Sequence, residues 1–87
     1  MFSLYQNYPN PFNPKTIISY ELETSSSVSI KVFDILGKEI NELINKKQNP
    51  GKYEIDFDGS ALSSGVYFYS MFVNGNRIQT KKMMLQK

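Results

Sequence analysis

The stretch Gly65–Val73 reads Gly-Val-Tyr-Phe-Tyr-Ser-Met-Phe-Val and is almost entirely β-branched or aromatic. It is too short for an ordinary helix, and residues of this kind fit a pleated sheet, so it is predicted to form a β-strand. Apolar side chains would lie on both faces, interrupted only by Ser70. A strand with two apolar faces is expected in the middle of a sheet, because at an edge it would promote aggregation.

Turn-forming residues lie on both sides of this strand. The segment Ser60–Gly65 is rich in small residues, and Asn74-Gly75 is a strong signal for a tight β-hairpin. A last strand is therefore predicted over Arg77–Lys87, with Met83 and Leu85 facing the core. Three consecutive apolar residues in this segment leave its register open by one position.

Four segments upstream are predicted to be strands: three carry the two-residue alternation of half-buried strands, and one has an irregular apolar spacing. The irregular segment, Glu39–Lys46, also fits two turns of a helix, but the turn-forming residues on both sides of it favour a strand. Asp34 followed by Gly37 predicts a type I turn closed by a residue at positive φ, and Pro50-Gly51 predicts a type II turn. The predicted strands are Thr16–Leu22, Val28–Phe33, Glu39–Lys46 (the ambiguous one) and Lys52–Asp58.

The segment Leu4–Pro14, here called the lead-in, contains three prolines. Proline removes backbone donors and favours extended geometry in the residue before it, so a helix is excluded here. The lead-in is predicted to be a rigid loop or edge that lies over the end of a sheet. Its anchors are expected to be Leu4, Tyr8 and Phe12.

Short strands at roughly ten-residue spacing, joined by turns, predict an all-β fold. The expected architecture is a two-sheet antiparallel immunoglobulin-like β-sandwich of about seven strands, and a small barrel is the alternative. A chain of 87 residues has the size of one domain. Without cysteine, no disulfide can stabilise it, so packing alone must hold the sheets together.

Composition excludes several classes of function. The chain has no histidine and no cysteine, which removes the usual acid–base group near neutral pH, thiol nucleophiles and most zinc sites. A net charge of +2 is too small to indicate nucleic-acid binding, and no apolar run is long enough to span a bilayer. No cofactor is therefore expected, and the chain is predicted not to be an enzyme.

Two weaker hypotheses concern surface residues. Glu54, Asp56 and Asp58 share a strand face, but no loop of alternating oxygen ligands supports a calcium site, and a solvated face is favoured. Tyrosines would suit a carbohydrate-binding face, yet Tyr20, Tyr53 and Tyr67 fall on predicted core positions.

Four motifs in order closely resemble the type A C-terminal sorting domain of the type IX secretion system. The resemblance extends from about Leu4 to Lys87, and any one of its motifs alone would be weak. The matching residues are Pro9, Asn10, Pro11 and Phe12; Asp34, Gly37 and Lys38; Gly65 and Tyr67; and the basic terminal strand with Lys81, Lys82 and Lys87.

This resemblance implies a domain at the C-terminus of a larger exported cargo, with no catalysis of its own. The implied partners are the outer-membrane translocon with its shuttle proteins, a sortase-like peptidase that removes the domain, and the upstream cargo. The implied localisation is the periplasm in transit, then the cell surface or medium. Met1 is interpreted as an added starting residue. The alternative is a non-catalytic module that packs on or spaces a catalytic domain.

The terminal strand is the predicted recognition element. A strand at the edge of a sheet has unpaired backbone groups that a partner can extend, and lysines on it can make basic contacts. The residues predicted to be read by the translocon are Lys81, Lys82, Met83, Met84, Leu85, Gln86 and Lys87. A weak homodimer through exposed aromatic residues, Phe68 and Phe72 among them, is a further expectation.

Overall fold

The computed structural model describes the whole chain, Met1–Lys87, and contains seven strands and no helix. The strands form a three-stranded sheet in the order β1-β2-β5 and a four-stranded sheet in the order β4-β3-β6-β7. All strand pairs are antiparallel, which confirms the predicted two-sheet sandwich. The strands are β1 (Phe2–Leu4), β2 (Lys15–Leu22), β3 (Ser26–Phe33), β4 (Glu39–Gln48), β5 (Gly51–Asp58), β6 (Gly65–Val73) and β7 (Asn76–Leu85).

The aromatic strand β6 lies between β3 and β7, as its sequence predicted. Tyr69 and Met71 are fully buried in the core, whereas Phe68 and Phe72 are half-buried on the outer face of the sheet. Ser70, between Phe68 and Phe72 on the outer face, is also buried. The central position covers both edges of this apolar strand with hydrogen-bonded neighbours.

The core lies between the two sheets. The inward residues of β2 and β3 are buried at the predicted positions, and those of β6 and β7 complete the cluster. Burial of this apolar surface is the main favourable contribution to folding in a chain without disulfides. The largest fully buried side chains are Tyr20, Tyr69, Phe12, Phe57, Ile18, Leu22, Ile30, Met71, Met83 and Leu85.

Two tight turns have the predicted backbone conformation. Asn74 and Gly75 both have positive φ, 51° and 85°, as a two-residue hairpin of the primed type requires. In the β3–β4 turn, Gly37 has a φ of 85°, and the Asp34 carboxylate accepts hydrogen bonds from the backbone N–H groups of Leu36 and Lys38, each at 2.9 Å.

The segment that also fitted a helix is a strand. β4 pairs with β3 along its length, with two shifts of register between Ile30 and Lys31 and between Val32 and Phe33. These β-bulges explain the irregular apolar spacing, because each inserts an unpaired residue into the alternation.

The turn prediction at Pro50-Gly51 is wrong. β4 and β5 belong to different sheets, so this dipeptide carries the chain from one sheet to the other and does not close a hairpin. Gly51 has a φ of 153°, far from the value near +80° that a type II turn requires.

The lead-in is anchored by Leu4 and Phe12, which are buried as predicted. The prediction that Tyr8 is a third anchor is wrong, because the Tyr8 side chain is 80% exposed. Tyr8 contributes through its backbone, which exchanges two 3.0 Å hydrogen bonds with Ile17. Pairing with β2 turns its side chain to solvent.

The lead-in changes from one sheet to the other. It pairs antiparallel with β2 at Tyr8 and then parallel with β7, through a bridge between Phe12 and Leu85. At the crossing point, the buried Asn7 amide donates hydrogen bonds to the Thr16 hydroxyl at 3.0 Å and to a backbone carbonyl. The lead-in therefore closes this side of the sandwich.

Candidate recognition surface

β7 lies at the edge of the four-stranded sheet, as predicted for the recognition element. Lys82 and Met84 point outward and are exposed, whereas Lys81 shares the inward register and is half-buried. Neither lysine takes part in a salt bridge, because the two ion pairs of the structure lie elsewhere. The two cations are thus placed on opposite faces of the strand.

Two residues of the predicted recognition set are not on the surface. Met83 and Leu85 are 0% and 1% exposed, in the register expected from the sequence, and belong to the core. In the folded domain a partner would meet only the others: Lys82, Met84, Gln86 and Lys87, with part of Lys81.

The motif Pro9–Phe12, here called the clasp, lies directly along the end of β7. The Phe12 N–H donates to the Met84 carbonyl at 2.9 Å, and the Gln86 N–H donates to the Phe12 carbonyl at 2.9 Å. The Asn10 side-chain oxygen accepts a hydrogen bond from the Met84 N–H at 3.0 Å. Two motifs from opposite ends of the chain therefore form one surface.

The expected free edge of the terminal strand is consequently occupied. The Lys82 carbonyl accepts a 2.6 Å hydrogen bond from the Gln6 side chain, just before the Met84 and Gln86 groups held by the clasp. The prediction of unpaired backbone groups is wrong over this part of β7. Sequence alternation shows the position of a strand but not that a distant segment covers it.

The last residue is also fixed to the domain. The Lys87 N–H donates to the Ser64 hydroxyl at 3.1 Å, and the Lys87 ammonium donates to the Ser60 carbonyl at 2.7 Å. The Asp58 carboxylate in turn accepts from the Ser60 N–H and hydroxyl, at 2.9 and 2.6 Å. Because these bonds stabilise its charged form, they lower the pKa of Asp58.

Gly59 has a packing role that the sequence did not indicate. A Cβ at this position would lie 3.2 Å from side-chain atoms of both Phe12 and Leu85. Phe12 also packs edge-on against Phe57, with ring centroids 6.0 Å apart. The absence of a side chain at Gly59 lets the clasp and β7 approach the end of β5.

The other two family motifs lie at the same end of the four-stranded sheet. Gly65 is opposite Leu85, and Tyr67 is opposite Met83 and donates to the Ser63 carbonyl at 2.7 Å. The remaining motif is the β3–β4 turn at Asp34, Gly37 and Lys38. This turn follows β3, which lies two strands away from β7 in the sheet, or about 10 Å at the usual strand spacing.

The outer face of this sheet carries a cluster of aromatic residues under cations. The Arg77 guanidinium lies 5.3 Å from the Phe33 ring centroid and 5.2 Å from that of Phe72, and the Lys31 ammonium also lies 5.2 Å from Phe72. Cation–π contacts of this kind partly cover the rings. A weak homodimer through Phe68 and Phe72 stays a prediction.

The tyrosines serve the fold. Tyr20 is buried, stacks on Tyr53 and donates to the Gln48 side chain at 2.6 Å. Burial raises the pKa of Tyr20, and it raises the pKa of Tyr69 to about 12. Both hydroxyls therefore stay protonated near neutral pH and act as hydrogen-bond donors within the fold. Tyr5 and Tyr8, by contrast, are exposed.

The carboxylates do not form a metal site. No group of three or more aspartates and glutamates is close enough to hold an ion, Glu54, Asp56 and Asp58 included. No helix that could span a lipid bilayer is present in the structure.

Fold and surface together define an immunoglobulin-like β-sandwich module whose two ends meet on one edge. Residues 6–86 match the family model described as the secretion system C-terminal sorting domain. The chain therefore belongs to this family of non-catalytic sorting signals for type IX secretion, as its motifs indicated. Membership implies a secreted protein.

Solved structures confirm the fold. The dimeric latent PorU from Porphyromonas gingivalis matches with a TM-score of 0.77 at 21% identity, over 98% of this chain and 9% of that one. The Pseudomonas fluorescens alkylpurine DNA glycosylase AlkC, bound to DNA containing an abasic site analog, matches with a TM-score of 0.58 at 15% identity, over 99% of this chain and 30% of that one. No curated protein matches the chain in sequence.

Proposed function

We propose that the translocon of the type IX system reads this domain on a surface that the clasp and the end of β7 form together. The family match over residues 6–86 carries the proposal. It is supported by the hydrogen bonds of Asn10 and Phe12 to the terminal strand, which hold the exposed Lys82 and Met84 side chains in a fixed register.

In this proposal the domain performs no catalysis of its own. An upstream cargo crosses to the periplasm, the shuttle proteins and translocon recognise the folded domain, and the sortase-like peptidase removes it. The cargo then remains on the cell surface or enters the medium. The alternative role as a spacer for a catalytic domain is not favoured, since the matching family is described as a sorting domain.

The recognised side chains are those that the fold leaves accessible. Lys82, Met84, Gln86 and Lys87 contribute contacts directly, and Lys81 contributes its half-exposed ammonium. Met83 and Leu85 act from the core by holding the strand in place. Because the backbone edge is already paired to the clasp, contacts through side chains replace strand addition in this account.

The test uses a fluorescent reporter with an ordinary export signal, joined to residues 2–87 in a bacterium that has the type IX machinery. Surface or medium fluorescence is expected, and deletion of the translocon should abolish it. Reporter retained in the periplasm with the domain folded would contradict the sorting function.

A pair of double variants tests the recognition residues separately. The Lys81→Ala/Lys82→Ala variant should lower export several-fold. The matched Lys46→Ala/Lys47→Ala variant removes two adjacent exposed lysines from the distant edge strand β4 and should export normally. Equal export of both variants, with normal export of the parent reporter, would contradict the proposed surface while leaving the sorting function intact.

A further inference from the structure

The opposite side of the sandwich ends in an edge that nothing covers. β5 pairs only with β2, in eight consecutive residue pairs without a shift of register. β4 borders the same side but belongs to the other sheet, and its two bulges make it a poor template for pairing. β5 is thus the regular free edge of the molecule.

The hydrogen-bonding pattern shows which groups are free. Ile17 of β2 exchanges both backbone hydrogen bonds with Tyr8, on the side away from β5. Its partner in register, Asp56, is therefore turned away from β2. By the two-residue period of a strand, the N–H and C=O groups of Lys52, Glu54 and Asp56 all point to the free edge.

The core is incompletely covered on this side. Tyr53 and Ile55 of β5 face inward but are only half-buried, and they pack against the fully buried cluster. An additional strand beside β5 would bury more of both side chains. Removal of apolar surface from water would add to the main-chain hydrogen bonds of such a contact.

Some charged residues along this edge have an oppositely charged residue across the sheet, and others do not. In the sheet, Asp58 lies opposite Lys15 and Lys52 lies opposite Glu21, so each of these four residues has an opposite charge across from it. Glu54 and Asp56, by contrast, lie opposite Ser19 and Ile17. Two acidic side chains, two residues apart and with no positive charge directly across the sheet, therefore line the exposed face beside the free backbone groups.

We infer that β5 binds an extended segment of another protein by strand addition, and that this segment carries two basic residues at positions i and i+2 with an apolar residue between them. The basic residues would lie opposite Glu54 and Asp56, because side chains of paired residues share a face. The apolar residue would point inward beside Ile55.

A second copy of this chain fits the edge poorly in the register that pairs β5 over Lys52–Asp58. An antiparallel β5–β5 pair with Lys52 opposite Asp58 would place Glu54 opposite Asp56 twice, and like charges directly opposite are destabilising. The charges on this edge therefore favour a basic partner over a second β5 in this register.

The test titrates the isotope-labelled domain with a seven-residue peptide that has lysines at its third and fifth positions and valines between and beside them. Chemical-shift changes are expected in the amides of Lys52, Glu54 and Asp56 and in their β2 neighbours. The same peptide with glutamates in place of the lysines should bind about tenfold more weakly. Absence of binding, or changes centred on β7, would overturn the inference.

Three variants separate backbone pairing from charge. Asp56→Pro removes an N–H that faces the free edge, where proline is tolerated, and should weaken binding about tenfold. Asp56→Asn keeps the N–H and should weaken it only about two- to threefold. Glu54→Lys/Asp56→Lys should reverse the preference between the two peptides. Unchanged preference in the last variant would overturn the inference even if the proline variant failed to fold.

Discussion

The two sides of the sandwich end in opposite ways. On the β7 side, the lead-in pairs first with one sheet and then with the other, so the end of the terminal strand has partners on both edges. On the β5 side, regular backbone groups point to solvent over an incompletely covered core. The terminal strand is presented through its side chains, whereas β5 is presented through its backbone.

The closed side shows how a proline-rich segment can cover a strand. Pro9 and Pro11 have no N–H to donate, so they cannot continue a regular ladder. The Asn10 side chain and the Phe12 backbone supply the missing partners between and after them. Closure by such irregular contacts depends strongly on one buried anchor, Phe12, and this dependence can be tested.

The largest expected effect concerns that anchor. Phe12→Ala should lower the free energy of unfolding by about 3–5 kcal/mol, because it opens a cavity among Phe57, Leu85 and Gly59. Urea denaturation would measure the change. Ile55→Ala on the open side is the matched control and should cost less, since that side chain is only half-buried. An equal cost at both positions would remove the distinction between the two sides.

An intermediate effect on stability is expected from loss of the hydrogen bond between Asn10 and β7. Amide hydrogen exchange should show the Met84 and Gln86 N–H groups protected and those of Glu54 and Asp56 nearly unprotected.

Asn10→Ala should cost about 1 kcal/mol and speed exchange at Met84, while Gln86 keeps its bond to Phe12. Asn13→Ala, which alters an exposed neighbour in the lead-in, should leave the exchange unchanged. Comparable protection at Glu54 and Met84 in the parent domain would show that both edges are covered.

The smallest expected effect is the dependence of stability on pH through Asp58. Because hydrogen bonds lower the pKa of Asp58 in the folded state, Asp58 stabilises the domain above about pH 4, the usual value for an aspartate. This contribution is lost as the pH falls through the lowered pKa.

Asp58→Asn should therefore reduce stability at pH 7 and flatten the further loss between neutral and acidic pH, as measured by denaturation at several pH values. Asp56→Asn, on the same strand face but without the Ser60 contacts, is the control. An identical acid response of the two variants would show that the Ser60 contacts do not couple to stability.

Much of this fold could be predicted from local patterns. Alternation located β2, β3, β5 and the inward positions of β7, and a composition of aromatic and β-branched residues located β6. The turns at Asp34 and Asn74 follow from residues that adopt or precede positive φ. Tyr8 failed as an anchor because backbone pairing with Ile17 decides where its side chain points. Pro50-Gly51 failed because a dipeptide does not show which sheet the next strand joins.

The candidate site was predicted only in part. The two-residue period of the strand placed Lys82 and Met84 on the face opposite to Met83 and Leu85, and the four motifs in order indicated the family. It could not show that Asn10 binds the backbone of Met84, 74 residues away, or that Gly59 makes room for Phe12 and Leu85.

The amino-acid sequence by itself therefore determined the strands and their inward faces, which depend on neighbours a few residues apart. It also determined the family, which depends on the identity and order of four motifs along the chain. Tertiary structure alone decided which edge is closed and which is open. That choice depends on contacts between the two ends of the chain, and these contacts form only when the packed sheets bring the ends together.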